Sequence, residues 1–91
     1  MTPQRRKGKT VFKFYAPDAK KVCVAGEFNG WDSETMPLRR DKEGTWKGSL
    51  DLPPGRYEYK YVIDGRWLHD VPGAEMVPNV FGTSNCVLRI K

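Results

Sequence analysis

The chain holds one histidine, His69, directly before Asp70, a neighbour pair of the kind that activates a nucleophile. Ser33 and Ser84 lie in no strand-turn-helix elbow that would bring a hydroxyl to it. Bond cleavage between sugars needs two carboxylates facing each other across a cleft, whereas the acids here stand singly in turns (Asp18, Asp32, Asp41, Asp64) or beside basic strand residues. The glycines are spread one by one over turns, so no loop can wrap a phosphate. Cys23 and Cys86 form neither a C-x-x-C pair nor a disulfide scaffold, and no other ligand spacing suggests a metal. The residues point away from an enzyme, and no cofactor or metal is expected.

The tryptophans are more informative. Trp31, in Gly30-Trp31-Asp32, and Trp67, in Arg66-Trp67-Leu68, sit at polar loop or hairpin-end positions, whereas Trp46 alternates with Gly48 and Leu50 and is assigned to packing. An exposed indole face suits the apolar C–H face of a pyranose, whose hydroxyl rim then needs donors and acceptors from neighbours. From spacing alone the same two rings also fit as hydrophobic plugs closing the ends of a sandwich.

The elements that must position these residues are strands. Apolar residues alternate with period two along the whole chain, and no segment keeps a helical stripe over three turns. Strands are expected at Thr10–Tyr15, Lys21–Ala25, near Pro37–Arg40, at Thr45–Leu52, Arg56–Ile63, Arg66–His69 and Asn85–Ile90. GEFNGWDSET reads as a loop with at most one helical turn, Pro53-Pro54-Gly55 as a hard turn, and Asp64-Gly65 as a two-residue hairpin. Asp70–Thr83, with Pro72, Gly73, Pro78, Asn79 and Gly82, reads as one long functional loop. Alternation puts Tyr57, Tyr59 and Tyr61 on the face opposite Glu58 and Lys60; Phe12 and Phe14 are core candidates. Cys23 is expected to point out, away from Val22 and Val24, and Cys86 in, both as free thiols. About seven short strands make an all-β, two-sheet antiparallel sandwich.

Ninety-one residues bound this to one small core. No apolar run approaches a membrane span and no secretory signal follows the basic start, so no membrane partner and a cytoplasmic setting are expected. The formal charge of +5 is concentrated at one end: Arg5, Arg6, Lys7 and Lys9 are four of the 16 basic residues, leaving 12 against 11 acidic from Thr10 onward. Residues 1–8 are expected to be a flexible basic tail and 9–91 the folded domain. A near-neutral domain without an RNA-binding aromatic motif argues against a nucleic-acid partner.

Three stretches, VFKFYAPDAKKVCVAGEFNGWD, LDLPPGRYEYKYVIDGRWLHD and VPNVFGTSNCVLRI, together resemble carbohydrate-binding module family 48. That family includes the glycogen-binding domain of the AMP-activated protein kinase β subunit and the N-terminal modules of branching and debranching enzymes. The resemblance runs from about Lys9 to the end and implies an immunoglobulin-like β-sandwich that binds α-1,4-linked glucan such as glycogen, starch or maltooligosaccharide. It implies stacking by Trp31 and Trp67, hydroxyl contacts from Lys60, Thr83 and Asn85, and a hydrophobic finger at Phe81, where the kinase-type pattern has leucine. A glycogen- or starch-metabolising enzyme or a kinase is the protein partner it suggests. The competing reading is a sandwich that docks on such an enzyme or kinase without binding sugar; joint retention of Trp31, Lys60, Trp67 and Asn85 argues against it, because an interface needs none of those types.

Overall fold

The computed structural model describes residues 8–71 and 73–90. Among them are eight strands: β1 (Gly8–Tyr15), β2 (Val22–Gly26), β3 (Arg39–Arg40), β4 (Thr45–Leu52), β5 (Gly55–Ile63), β6 (Arg66–Trp67), β7 (Met76–Pro78) and β8 (Ser84–Ile90). They form two antiparallel sheets packed as a sandwich, one in the order β1-β4-β3, the other β2-β5-β8-β7 with β6 paired to β5. β1 already runs from Gly8, which pairs with Leu52, two residues before the expected strand start at Thr10. The basic tail, including Arg5, Arg6 and Lys7, lies otherwise outside the described residues.

Two-residue alternation builds the core. Phe12 on β1, Trp46 on β4, Val22 and Val24 on β2, Tyr59 and Tyr61 on β5 and Cys86 on β8 are buried together between the sheets. Aromatic contacts tie sheet to sheet: Phe12 meets Tyr59 edge-on at 5.3 Å between centroids, and Phe14 meets Tyr61 at 4.8 Å. Such pairs add about 0.5–1.5 kcal/mol each beyond the area they bury. Trp46 is only 7% exposed and donates its indole N–H to Ala16 O at 2.8 Å, the packing role expected of it.

The turns follow their residue chemistry. Asp64 (φ 50°) and Gly65 (φ 84°) both occupy the left-handed region that a two-residue hairpin requires. Asp64 Oδ1 also accepts from the Lys20 and Lys21 amides, latching the hairpin onto the start of β2. Two expectations need correcting. Asp70–Thr83 is not one loop, because Met76–Pro78 adds an edge strand to β8; Pro78 is tolerated as the last residue of that short edge. The Pro37 region, expected to start a short strand, bonds to β2 first: Val24 N–H to Met36 O and Leu38 N–H to Val22 O. The chain then crosses to the other sheet as β3.

The expectation for Cys23 needs correcting too. The residue lies on the face opposite Val22 and Val24 as expected, yet it is buried, in a second apolar patch with Ala25 and Val62 against which Trp31 packs. The outer face of the larger sheet is thus partly covered, not open to water. Both cysteines are free, and burial raises both thiol pKa values above their ordinary one.

Candidate functional site

The outer face of the larger sheet carries the residues singled out by the sequence. Lys60 and Val62 point outward from β5 because Tyr59 and Tyr61 point inward, and Trp67 stands directly opposite Val62 in the β5–β6 pair. Asn85 occupies the same face at the start of β8, opposite Val77. Trp31 arrives from the end of β2 through a 3-10 turn, Glu27–Asn29. Asn29 fixes that turn, accepting from Gly26 N–H at 2.9 Å and donating to Val24 O at 3.0 Å. Glu27 ties it to β5 by accepting the Glu58 amide at 2.7 Å.

Trp31 itself has φ 61°, next to Gly30 at φ 65°. A bulky residue in the left-handed region is strained by roughly 1–3 kcal/mol and persists only where its surroundings hold it. Here its amide donates to Gly26 O at 2.8 Å and its ring rests on the Cys23, Ala25 and Val62 patch. Trp31 therefore covers a small patch on the outer face, outside the main core, while still lining a cleft. Trp67 is 38% exposed and belongs to neither buried cluster.

Trp31, Lys60, Trp67, Phe81, Thr83 and Asn85 all line one cleft of about 480 Å³. This volume lies within the roughly 300–1,000 Å³ of small-molecule sites. Phe81 is 86% exposed at the β7–β8 loop, an apolar ring projecting at the rim. His69 and Asn79 line the cleft too, and neither is among the residues expected to meet sugar. His69, expected to end the strand that begins at Arg66, lies just beyond β6, which stops at Trp67. It accepts at Nδ1 from Lys60 Nζ, and the bond lies within the cleft. Its place on Trp67's face, two residues on, was the available signal.

The polar residues are linked. Lys60, 6% exposed, donates to Thr83 Oγ1 at 3.0 Å as well as to His69. It is not the solvated strand lysine that alternation alone allows. Burial lowers its pKa below the ordinary lysine value, and no carboxylate among the described residues forms an ion pair with it. Asn85 Nδ2 donates to Glu58 Oε1 at 2.9 Å, and Glu58 is held by Arg56 at 2.9 Å. The Asn85 bond, followed by the Arg56 bond, lowers the Glu58 pKa, keeping it a pure acceptor. The Asn85 amide must therefore face it with its NH₂ end, leaving Oδ1 to accept from Asn79 Nδ2 at 2.9 Å. Two flat indoles, a projecting phenyl and a buried polar row suit a ligand with apolar faces and a hydroxyl rim. Among the described residues no group of three or more His, Cys, Asp or Glu could hold a metal ion.

Comparison with known proteins agrees with this chemistry. Residues 8–91 match the family model described as the glycogen recognition site of AMP-activated protein kinase. The chain is 37% identical over 82 residues to the 5'-AMP-activated protein kinase subunit beta-1 of Sus scrofa, covering 90% of this chain and 63% of that one. Against the Homo sapiens beta-1 subunit the identity is also 37% over 82 residues, with 28% of that protein covered. The Mus musculus beta-2 subunit is 33% identical over 89 residues, 98% of this chain and 31% of its own length. The chain thus spans less than two thirds of the curated relatives it matches.

Proposed function

Because the chain belongs to the glycogen-recognition family of AMP-activated protein kinase, a carbohydrate-binding module, we propose that an α-1,4-linked glucan binds in the cleft between Trp31 and Phe81. The observation that carries this is the meeting of all six sequence-selected side chains, from four separate parts of the chain, on one face of one sheet. Trp31 and Trp67 stack on successive glucose faces, and Phe81 projects into the curve of the glucan. Lys60 has one ammonium N–H left after bonding His69 and Thr83, and it meets a sugar hydroxyl. Asn85 retains one N–H and one lone pair for adjacent hydroxyls of one sugar. Hydroxyls must give up water for these few contacts, so a single maltooligosaccharide binds at about micromolar to millimolar Kd. Glycogen, which offers many equivalent chain ends, gains retention through multivalency.

We infer that the module performs no bond cleavage itself; Glu58, the acid bonded to the cleft residue Asn85, is committed to Arg56 and Asn85. Its relatives are named as kinase subunits, and we infer that this chain likewise works beside a protein kinase, bringing it to glucan. The setting is cytoplasmic, in keeping with two buried free thiols. Affinity electrophoresis in glycogen-containing gels tests the reading. The parent chain is retarded, and Trp31→Ala and Trp67→Ala each migrate as in plain gels while remaining folded. Unchanged retardation of both variants would remove the cleft from consideration.

A further inference from the structure

The side chain of Asn79 makes four hydrogen bonds. Its Oδ1 accepts from the Phe81 amide at 2.9 Å and the Thr83 amide at 3.1 Å; its Nδ2 donates to Thr83 Oγ1 at 2.7 Å and to Asn85 Oδ1 at 2.9 Å. An amide has two N–H donors and two carbonyl lone pairs, so Asn79 is saturated and has nothing left to offer a ligand. Every partner of that side chain is nevertheless a residue of the cleft wall. We propose that Asn79 is the positioning residue of the glucan site: it sets the loop that presents Phe81 and fixes which hydrogen-bonding groups Thr83 and Asn85 turn toward the sugar.

The chemistry is specific. Thr83 Oγ1 accepts from both Lys60 and Asn79, which occupies both of its lone pairs, so its remaining capacity is the O–H donor. Asn85 is held from both ends, with Glu58 taking an N–H and Asn79 supplying one to Oδ1; a flipped amide would set like groups against each other at both ends. Of this polar row, Lys60, Thr83 and Asn85 therefore each offer a glucan one donor, and Asn85 offers one acceptor lone pair besides. Without the Asn79 donors, Thr83 and Asn85 are free to turn to water or to each other, and binding would have to supply the ordering that the free protein already has. The Asx-type turn made by Asn79 Oδ1 is a separate duty, serving the loop rather than the polar row.

Asn79→Asp separates the two duties. A carboxylate still accepts from the Phe81 and Thr83 amides, so the loop is kept. It cannot donate, so it draws the Thr83 O–H toward itself and sets an oxygen against Asn85 Oδ1. This proposal rests on the glucan reading of the cleft, so Trp67→Ala is measured alongside. By calorimetry with maltoheptaose, Asn79→Asp weakens binding about tenfold, the size of one to two lost hydrogen bonds, while its melt stays above the assay temperature. In a chain already carrying Asn85→Ala, the same change costs at most about threefold, because only the Thr83 branch remains to be lost. Asn79→Ala, lacking all four bonds, loses at least as much affinity as the aspartate variant. Parental affinity in either Asn79 variant, or an equal loss in both backgrounds, overturns the proposal while leaving the cleft intact provided that Trp67→Ala abolishes binding. If Trp67→Ala also binds like the parent, the cleft reading itself fails.

Discussion

Trp31 and Trp67 reach the same cleft by different means, one through a strained left-handed turn and the other from a two-residue strand, and only Trp46 enters the main core. Truncating either cleft ring costs binding by about 2 kcal/mol or more. Trp46→Ala instead lowers stability by about 3–5 kcal/mol, with the remaining folded chain still retained in glycogen gels. Paired melts and affinity electrophoresis read the two effects separately. Lys60 makes a subtler case. Its pKa is lowered by burial, so in the charged form it opposes folding, and stability rises as pH climbs through its folded value. Lys60→Met therefore melts no lower than the parent at neutral pH while binding maltoheptaose more weakly; a lower melt and unchanged binding would show the ammonium to be structural. Alternation on β5 announced which way Lys60 points, and its burial came from something no local pattern carries, the approach of Thr83 and His69 from distant positions. Asn79 was invisible for a similar reason, since an asparagine among Pro78 and Gly82 reads as a turn former until its partners are known.

Turns set the frame at the scale of elements. In the β3–β4 connection, Asp41 Oδ1 accepts from the Glu43 and Thr45 amides, and Asp41 Oδ2 pairs with Lys47 at 3.0 Å. The Lys47 bond, followed by the two amides, pulls its pKa down to about 2. A depressed carboxylate contributes stability above its unfolded value, near ~3.9, and loses it as pH falls toward the folded one. Acid melts should thus fall between about pH 4 and pH 2, with a shallower slope in Asp41→Asn. Gly44 in the same turn has φ 90°, and a Cβ there would stand 2.9 Å from Pro17 Cα and 2.6 Å from Pro17 Cβ. Gly44→Ala should cost about 2 kcal/mol, or roughly 10 °C in the melt, whereas an unaltered melt would mean that the Ala16–Ala19 turn yields easily. The long strands were legible because their alternation survives packing on one face. β7 was not: three residues ending in Pro78 give period two nothing to repeat, and pairing with β8 alone makes them a strand.

Taken whole, the molecule is a sandwich whose inner faces hold it together and whose larger outer face is shaped for a ligand. Sandwich class and the packing of Trp46 were legible in the alternation, and the six residues expected at a sugar site, which do meet in one cleft, through the family resemblance rather than through spacing. The covering of the outer face was not, which is why Cys23 was expected to be exposed. Thiol titration should find both cysteines slow in the native protein and two reactive groups after denaturation without reductant; fewer than two would contradict their free state. The central claim, that glucan is held against Trp31 and Trp67, is tested most directly by titrating maltoheptaose into the labelled chain and following indole and amide N–H signals by NMR. The Trp31 and Trp67 indoles should shift together, along with the Thr83 and Asn85 amides, while the Trp46 indole, bonded to Ala16 O in the core, stays in place. Binding that leaves the Trp31 and Trp67 signals unmoved and perturbs the outer face of the β1-β4-β3 sheet instead would contradict the account.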